Sequence, residues 1–294
     1  ARPAPPGDAA PSSASAPAAV PAPRAADREN KDVPTKVVAI ANQKGGVGKT
    51  TTVINLSACL GELGKSVLVV DLDPQANATS GLGLPRQEGT SLYQALLGAG
   101  TIEGHALATQ TPGVEIVPSE LDLAGSEIEV ARTEDYLHCV QRALAPLVAA
   151  GTYDYVFLDC PPSLGILTMN ALTAAHSVII PIQCEYYALE GLSVITQLIQ
   201  RLHDTQANPD IAIEGIVMTM FDTRTRLAFQ VVEEVRKHFG PKVYRTIIPR
   251  TVRLSEAPSH GQPITAYDNR SSGAQAYRHL AKEFLRHNTV KSRE

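Results

Sequence analysis

Short apolar runs alternate with longer amphipathic stretches along the chain. Lys36–Ala41 (KVVAIA), Ser66–Asp71 (SVLVVD), Val114–Pro118, Tyr155–Asp159, Ser177–Pro181 and Ile211–Met218 are mostly apolar with many Val and Ile, a pattern that predicts buried strands. Thr50–Leu63 places Val53, Leu56, Leu60 and Leu63 at helical spacing and is closed by Gly64. Thr133–Ala150, Glu185–His203 and Ala228–Phe239 read as further helices, and Ser271–Arg286 as a final amphipathic one. Strands alternating with helices predict an α/β fold, a doubly wound and mostly parallel sheet flanked by helices. Ligands in such sheets sit at the carboxyl ends of the strands, so the loops after Ala41, Asp71, Asp159 and Met218 should share one edge.

Composition adds a boundary. Residues 1–30 hold 11 Ala and 7 Pro with few large apolar side chains. Such a segment buries too little surface to offset its ordering entropy, so residues 1–33 are expected to be a disordered tail and 34–294 the single folded domain. No apolar run is long enough to span a membrane. The four cysteines (Cys59, Cys139, Cys160 and Cys184) form no C-x-x-C pair and read as buried thiols, and no Cys/His spacing suggests zinc or an iron–sulfur cluster. The net charge of −4 hides an asymmetry: from Phe221 onward 14 Lys and Arg face 7 Asp and Glu, whereas the rest of the chain carries 12 against 23. Basic charge therefore gathers in the C-terminal quarter.

The stretch Asn42-Gln43-Lys44-Gly45-Gly46-Val47-Gly48-Lys49-Thr50-Thr51 lies between a predicted strand and a predicted helix. Glycines there let backbone N–H groups turn toward phosphate oxygens, and the helix that follows aims its positive end at the same anion. Lys49 suits the β- and γ-phosphates, and the Thr50 hydroxyl suits Mg2+. Position 43 is Gln where the usual loop has Gly, and an additional lysine, Lys44, precedes the glycine pair. Two strand exits carry carboxylates. Asp71 and Asp73 leave the second strand, and Asp159 ends the apolar run Tyr153–Asp159, in the order expected of a metal-ordering and water-ordering pair beside such a loop.

The run K-G-G-V-G-K-T resembles the deviant Walker A box of the ParA/MinD/nitrogenase-iron-protein superfamily of P-loop NTPases. Four further blocks, PQANATSGLG, DCPPSLG, PIQCEYYALEGL and IPRTVRLSEAPS, resemble ParA/Soj partitioning ATPases in the same order. This resemblance implies an ATPase that uses ATP and Mg2+. Gly45, Gly46, Val47, Gly48, Lys49, Thr50 and Thr51 would hold the phosphates, Thr50 and Asp159 the metal, and Asp73 would serve hydrolysis. Lys44 would bind phosphate across an ATP-dependent homodimer, where a second cation offsets charge on the transferred phosphoryl group. Met220 and Phe221, read as a loop, and Pro249 and Thr251 would lie near adenine; the family usually has Asn at position 251, and Gly is frequent where Ala76 stands, a change expected to matter little. Arg224 and Arg253 would bind non-specific double-stranded DNA, with Arg245, Arg278 and Lys282 as weaker candidates.

A ParB-like centromere-binding protein would stimulate hydrolysis and release the dimer, giving a cytoplasmic, nucleoid-associated protein. Two alternatives share the nucleotide residues. A MinD-like membrane-cycling ATPase needs a strongly apolar C-terminal helix. Here Leu280, Phe284 and Leu285 suit packing against the domain, so no stable membrane association is expected. A metabolic P-loop ligase needs a further substrate motif, which the chain does not display.

Overall fold

A computed structural model describes residues 34–99 and 101–291; the expected tail, 1–33, lies outside the described residues. In chain order the elements are β1 (Lys36–Ile40), α1 (Lys49–Glu62), β2 (Val67–Asp71), α2 (Asn77–Gly81), α3 (Tyr93–Leu96), β3 (Leu107–Ala108), β4 (Val114–Val117), α4 (Leu123–Val130), α5 (Cys139–Ala150) and β5 (Tyr155–Asp159). There follow α6 (Ile166–Ala174), β6 (Ser177–Gln183), α7 (Ala188–Asp204), β7 (Ala212–Phe221), α8 (Arg226–Phe239), β8 (Val243–Pro249), α9 (Val252–Glu256), α10 (Ile264–Tyr267) and α11 (Ser272–Lys291).

The strands form one eight-stranded sheet in the order β3-β4-β2-β5-β1-β6-β7-β8. Every pairing is parallel except β3 with β4. The central strands are buried on both faces because helices cover both, which is why their sequences are continuously apolar instead of alternating. One face packs Leu68, Val70, Val156 and Leu158 against the α5–α7 side. The other packs Val38, Ile40, Val69 and Phe157 against α1 and α11, with Phe284 set edge-on to Tyr155 at 5.1 Å.

Four readings are corrected. The helix read from Thr133 begins only at Cys139, because the Asp135 carbonyl accepts from His138 N and its carboxylate holds His138 and Arg142 in a turn ahead of the helix. Met220 and Phe221 do not form a loop but extend β7, paired to β8 through Phe221 and Pro249. Strand β8 went unread, since Tyr-Arg-Thr at its centre breaks the apolar run as befits a strand at the sheet edge. Ala76 also costs more than expected: it adopts φ 50°, a left-handed conformation that disfavours any Cβ by about 1–2 kcal/mol.

The carboxyl ends of β1, β2, β5 and β7 do share one edge. β1 lies between β5 and β6, with β2 beyond β5 on one side and β7 beyond β6 on the other. The loop leaving β1 therefore opens at the point where the winding reverses.

Candidate nucleotide site

The loop between β1 and α1 is shaped by its own glycines and by β7. Gly46 (φ 74°) and Gly48 (φ 90°) occupy left-handed backbone that side chains disfavour. Asn42 Nδ2 donates to the Pro181 carbonyl at 2.8 Å, and its Oδ1 accepts from Lys44 N at 2.9 Å. The Thr219 hydroxyl donates to the Val47 carbonyl at 2.8 Å, tying the loop to β7. Helix α1 starts directly at Lys49, so its unpaired N–H groups face the same opening. The result is a cleft of about 540 Å3 lined among others by Gly45, Gly46, Gly48, Lys49, Thr50, Thr51, Asp73 and Met220.

Lys49 is buried, with Nζ 3.2 Å from the Lys44 carbonyl. Burial lowers its pKa, while Asp159, Cys160 and Asp73 act to raise it. Asp71 and Asp159 stand side by side in the register of β2 and β5 and are both fully buried. Burial pushes Asp71 up to about 6, against bonds from the Thr79 hydroxyl (2.7 Å), Thr79 N (2.9 Å) and Asp73 N (3.2 Å). Those bonds make Asp71 a scaffold for the turn after β2. Burial and then the Asp71 charge hold the Asp159 carboxyl far above the usual range, and Thr50 and Lys49 only partly oppose them.

Neither Asp159 oxygen has a protein partner at full hydrogen-bond geometry; the Thr50 hydroxyl is near enough only to favour the charged form. A hard divalent cation suits such a donor set: it binds carboxylate and hydroxyl oxygen and restores the charged form. Asp73 lies two residues beyond β2, its Oδ1 accepting from Gln75 N at 3.0 Å, and its carboxylate lines the cleft.

The Thr79 side chain also accepts from Ser119 N at 2.9 Å, so one hydroxyl serves two buried partners. Thr79→Val is expected to lose about 1–3 kcal/mol of stability by stranding both, whereas Thr79→Ser keeps it. Denaturant unfolding of the two variants checks this, and equal midpoints would remove the role.

The remaining sequence candidates fall elsewhere. Lys44 is not among the residues lining the cleft; its Nζ pairs with Glu185 Oε2 at 3.0 Å, both side chains more than two-fifths exposed. Val47 is buried beneath the loop. Met220 sits in the cleft at φ 51°, but Pro249 and Thr251 are not among its lining residues. Pro249 lines a second hollow, and the Thr251 hydroxyl is committed to capping α9, accepting from Leu254 N at 3.1 Å. Arg224 is clamped by Asp222 through two bonds of 2.9 and 2.7 Å. Arg253 is held by Glu256 at 3.1 Å and Asp268 at 3.5 Å. Gln75, Asn77, Ser80, Pro162, Pro258 and Ser259 also line the cleft and went unread. Pro162 and Pro258 lie inside the family-like blocks DCPPSLG and IPRTVRLSEAPS, which was the available signal. The four cysteines are buried and free, and no group of three or more His, Cys, Asp or Glu side chains suited to a metal occurs among the described residues.

A parallel sheet with a glycine loop at its switch point, a buried loop lysine and paired acidic strand ends define a P-loop nucleotide-hydrolysing protein. Residues 35–213 match a family model described as an AAA domain. The sporulation initiation inhibitor protein Soj of Bacillus subtilis is 53% identical over 249 residues, 84% of this chain and 97% of that one. The chromosome partitioning protein ParA of Caulobacter vibrioides is 49% identical over 253 residues, 86% of this chain and 94% of that one. Among solved structures, one named cobyrinic acid a,c-diamide synthase from Mycobacterium smegmatis, with bound ATP analogue and magnesium, superposes with a TM-score of 0.75 at 39% identity, covering 87% of this chain and 96% of that one. The septum site-determining protein MinD of Pyrococcus horikoshii with Mg-ADP is more distant, with a TM-score of 0.69 and 27% identity over 85% of this chain and 95% of that one. The chain belongs to the ParA/Soj family of chromosome-partitioning ATPases, and its reaction is the hydrolysis of ATP.

Proposed function

We propose that this ATPase pairs with a second copy when ATP is bound, holds DNA non-specifically as a dimer, and is released when a ParB-like partner stimulates hydrolysis. The carrying observation is the position of Lys44. It precedes the glycine pair of the loop, is not among the residues lining its own cleft, and its ammonium rests on an exposed carboxylate. An exposed ion pair of this kind is weak, so exchanging Glu185 for the triphosphate of a facing subunit costs little.

Within the cleft, Lys49 and the N–H groups of the loop would grip the β- and γ-phosphates. Asp73 would orient the attacking water. Thr50 and Asp159 would hold magnesium, which when bound neutralises charge on the phosphates. Two copies carrying the same cationic surface on one rigid body gain in DNA affinity through effective concentration, which links nucleotide state to DNA binding.

The membrane-cycling alternative finds less support. Leu280 and Phe284 of α11 are fully buried in the core, so they are not offered to a bilayer surface.

Sizing by light scattering with ATP, with ADP, and with or without random-sequence duplex tests the reading. The wild type is expected to double in mass only with ATP and magnesium. Lys44→Ala is expected to bind ATP within a few-fold of wild type yet remain a single subunit. A wild type that stays monomeric with ATP, or a Lys44→Ala variant that dimerises normally, would overturn the proposal.

A further inference from the structure

Between the start of α7 and the middle of α8 lies a hollow of about 400 Å3 that shares no lining residue with the nucleotide cleft. Ala188, Leu189 and Val231 give it an apolar floor, and Tyr186 stands beside them. Tyr186 is 78% exposed, more than any other large apolar side chain among the described residues, and Tyr187 meets it edge-on at 5.3 Å. An aromatic ring held out to water beside an apolar hollow marks a surface that is covered in use.

The rim is acidic. Glu233 and Glu234 line the hollow from α8, and Glu190 lies one turn after Tyr186 at the start of α7. Glu234 is 3.4 Å from His238, while Glu190 and Glu233 enter no salt bridge among the described residues. No Lys or Arg lines the hollow; on α8 they stand toward the two ends, at Arg226, Arg236 and Lys237.

Charge decides the occupant. Duplex and anionic membrane both bring phosphate, which this rim repels. A second copy laying the same patch on this one sets carboxylate against carboxylate. A protein segment carrying Lys or Arg between apolar side chains fits both the rim and the floor. One more carboxylate stands close in the chain. Glu185 directly precedes Tyr186, in the turn that opens α7, where its carbonyl accepts from Ala188 N at 3.0 Å. Its side chain is the one that holds Lys44. Once Lys44 turns to the triphosphate of a facing subunit, Glu185 is left without its cation.

We propose that the α7–α8 hollow is the docking surface for a cationic, apolar-anchored segment of the hydrolysis-stimulating partner, and that the release of Glu185 by Lys44 makes this segment prefer the ATP-bound dimer. The proposal rests on the dimer reading above and gives it a means of sensing nucleotide. An apolar side chain of the segment seats on Leu189 and Val231 beside Tyr186, and its cations meet Glu190, Glu233 and, in the dimer, Glu185. The coupling is reciprocal. A segment that occupies Glu185 opposes the return of Lys44, and so keeps that lysine where charge on the transferred phosphoryl group needs an offset.

The test is fluorescence anisotropy of short labelled peptides on the full chain, with ADP or a non-hydrolysable ATP analogue and magnesium in both. The probes are a Lys/Leu peptide, a Lys/Ser peptide without apolar anchors, and a Glu/Leu peptide. Only the Lys/Leu peptide is expected to bind, about two- to fivefold tighter with the ATP analogue, the worth of one exposed ion pair. Glu185→Gln should remove that difference between nucleotides. Tyr186→Ala, on a side chain open to water, should weaken binding in both states by about tenfold or more. Glu190→Lys/Glu233→Lys should lose the Lys/Leu peptide and accept the Glu/Leu one, a reversal that a damaged fold does not produce.

A wild type that doubles in mass with ATP yet ignores the Lys/Leu peptide sinks this proposal alone. One that never doubles sinks the dimer reading, and the ATP preference with it. Equal affinity in both nucleotide states removes the exchange at Glu185, and a charge-reversed variant that still holds the Lys/Leu peptide places the dock elsewhere. If Tyr186→Ala stays a single subunit with ATP where the wild type doubles, the patch is a contact between copies and the proposal is wrong.

Discussion

Asp73→Ala is expected to bind ATP at least as tightly as the wild type while turnover falls by about 10²–10⁴-fold, the range for losing a group that handles the proton of a nucleophile. The affinity follows from charge. Asp73 adds to the repulsion that holds Asp159 and Asp71 in their raised range and lines the cleft that the triphosphate enters. Removing one negative charge beside a polyanion does not weaken binding. The fold should tolerate the change, because among the described residues the Asp73 side chain accepts only a local turn bond from Gln75 N. Asp71 does the structural bonding around it. The variant should therefore persist as the ATP-bound dimer and stay on DNA. Single-turnover hydrolysis with a parallel DNA-retention assay checks both halves, and wild-type turnover would remove Asp73 from the chemistry.

Lys49→Ala should weaken ATP binding by roughly 1.5–3 kcal/mol, about 10- to 150-fold, the cost of losing charged hydrogen bonds. Its effect extends beyond the lost contact. Lys49 is the cation that favours the charged form of the Asp159 carboxyl, against burial and the neighbouring Asp71. Without it that carboxyl is pushed further upward, so magnesium dependence should shift to higher metal concentration as ATP affinity falls. Lys49→Arg should not rescue. The side chain is buried with Nζ beside the Lys44 carbonyl, and the wider guanidinium does not fit a site made for an ammonium. Calorimetry with a non-hydrolysable ATP analogue at two magnesium concentrations measures both effects. Unchanged affinity would exclude Lys49 from the phosphate site.

The two predictions differ in how far the sequence carried them. The glycine loop was legible because its function is written in consecutive backbone: Gly46 and Gly48 take positive φ, and Lys49 and Thr50 follow at once on the helix start. Asp159 was legible as the end of an apolar strand. The family resemblance assigned hydrolysis to Asp73, but local spacing left the part of Asp71 open between a structural and a functional role. Both leave the same strand two residues apart, and only the packing of α2 shows Thr79 claiming Asp71 and leaving Asp73 toward the cleft. Edge strand β8 escaped for a related reason, since a strand half open to solvent carries polar residues that hide its period.

The sequence by itself determined the alternation of strand and helix, the phosphate loop and the acidic strand ends, because each depends on neighbours within a few residues. Only the tertiary structure decided which charges meet. Lys44 reaches Glu185 across 141 residues of chain, Arg278 reaches Glu62 across 216, and Glu283 bonds the β8 backbone. A charged side chain acts through whatever lies within a few ångströms of it, and for these residues the crossovers of the sheet, not local spacing, bring that neighbour into place.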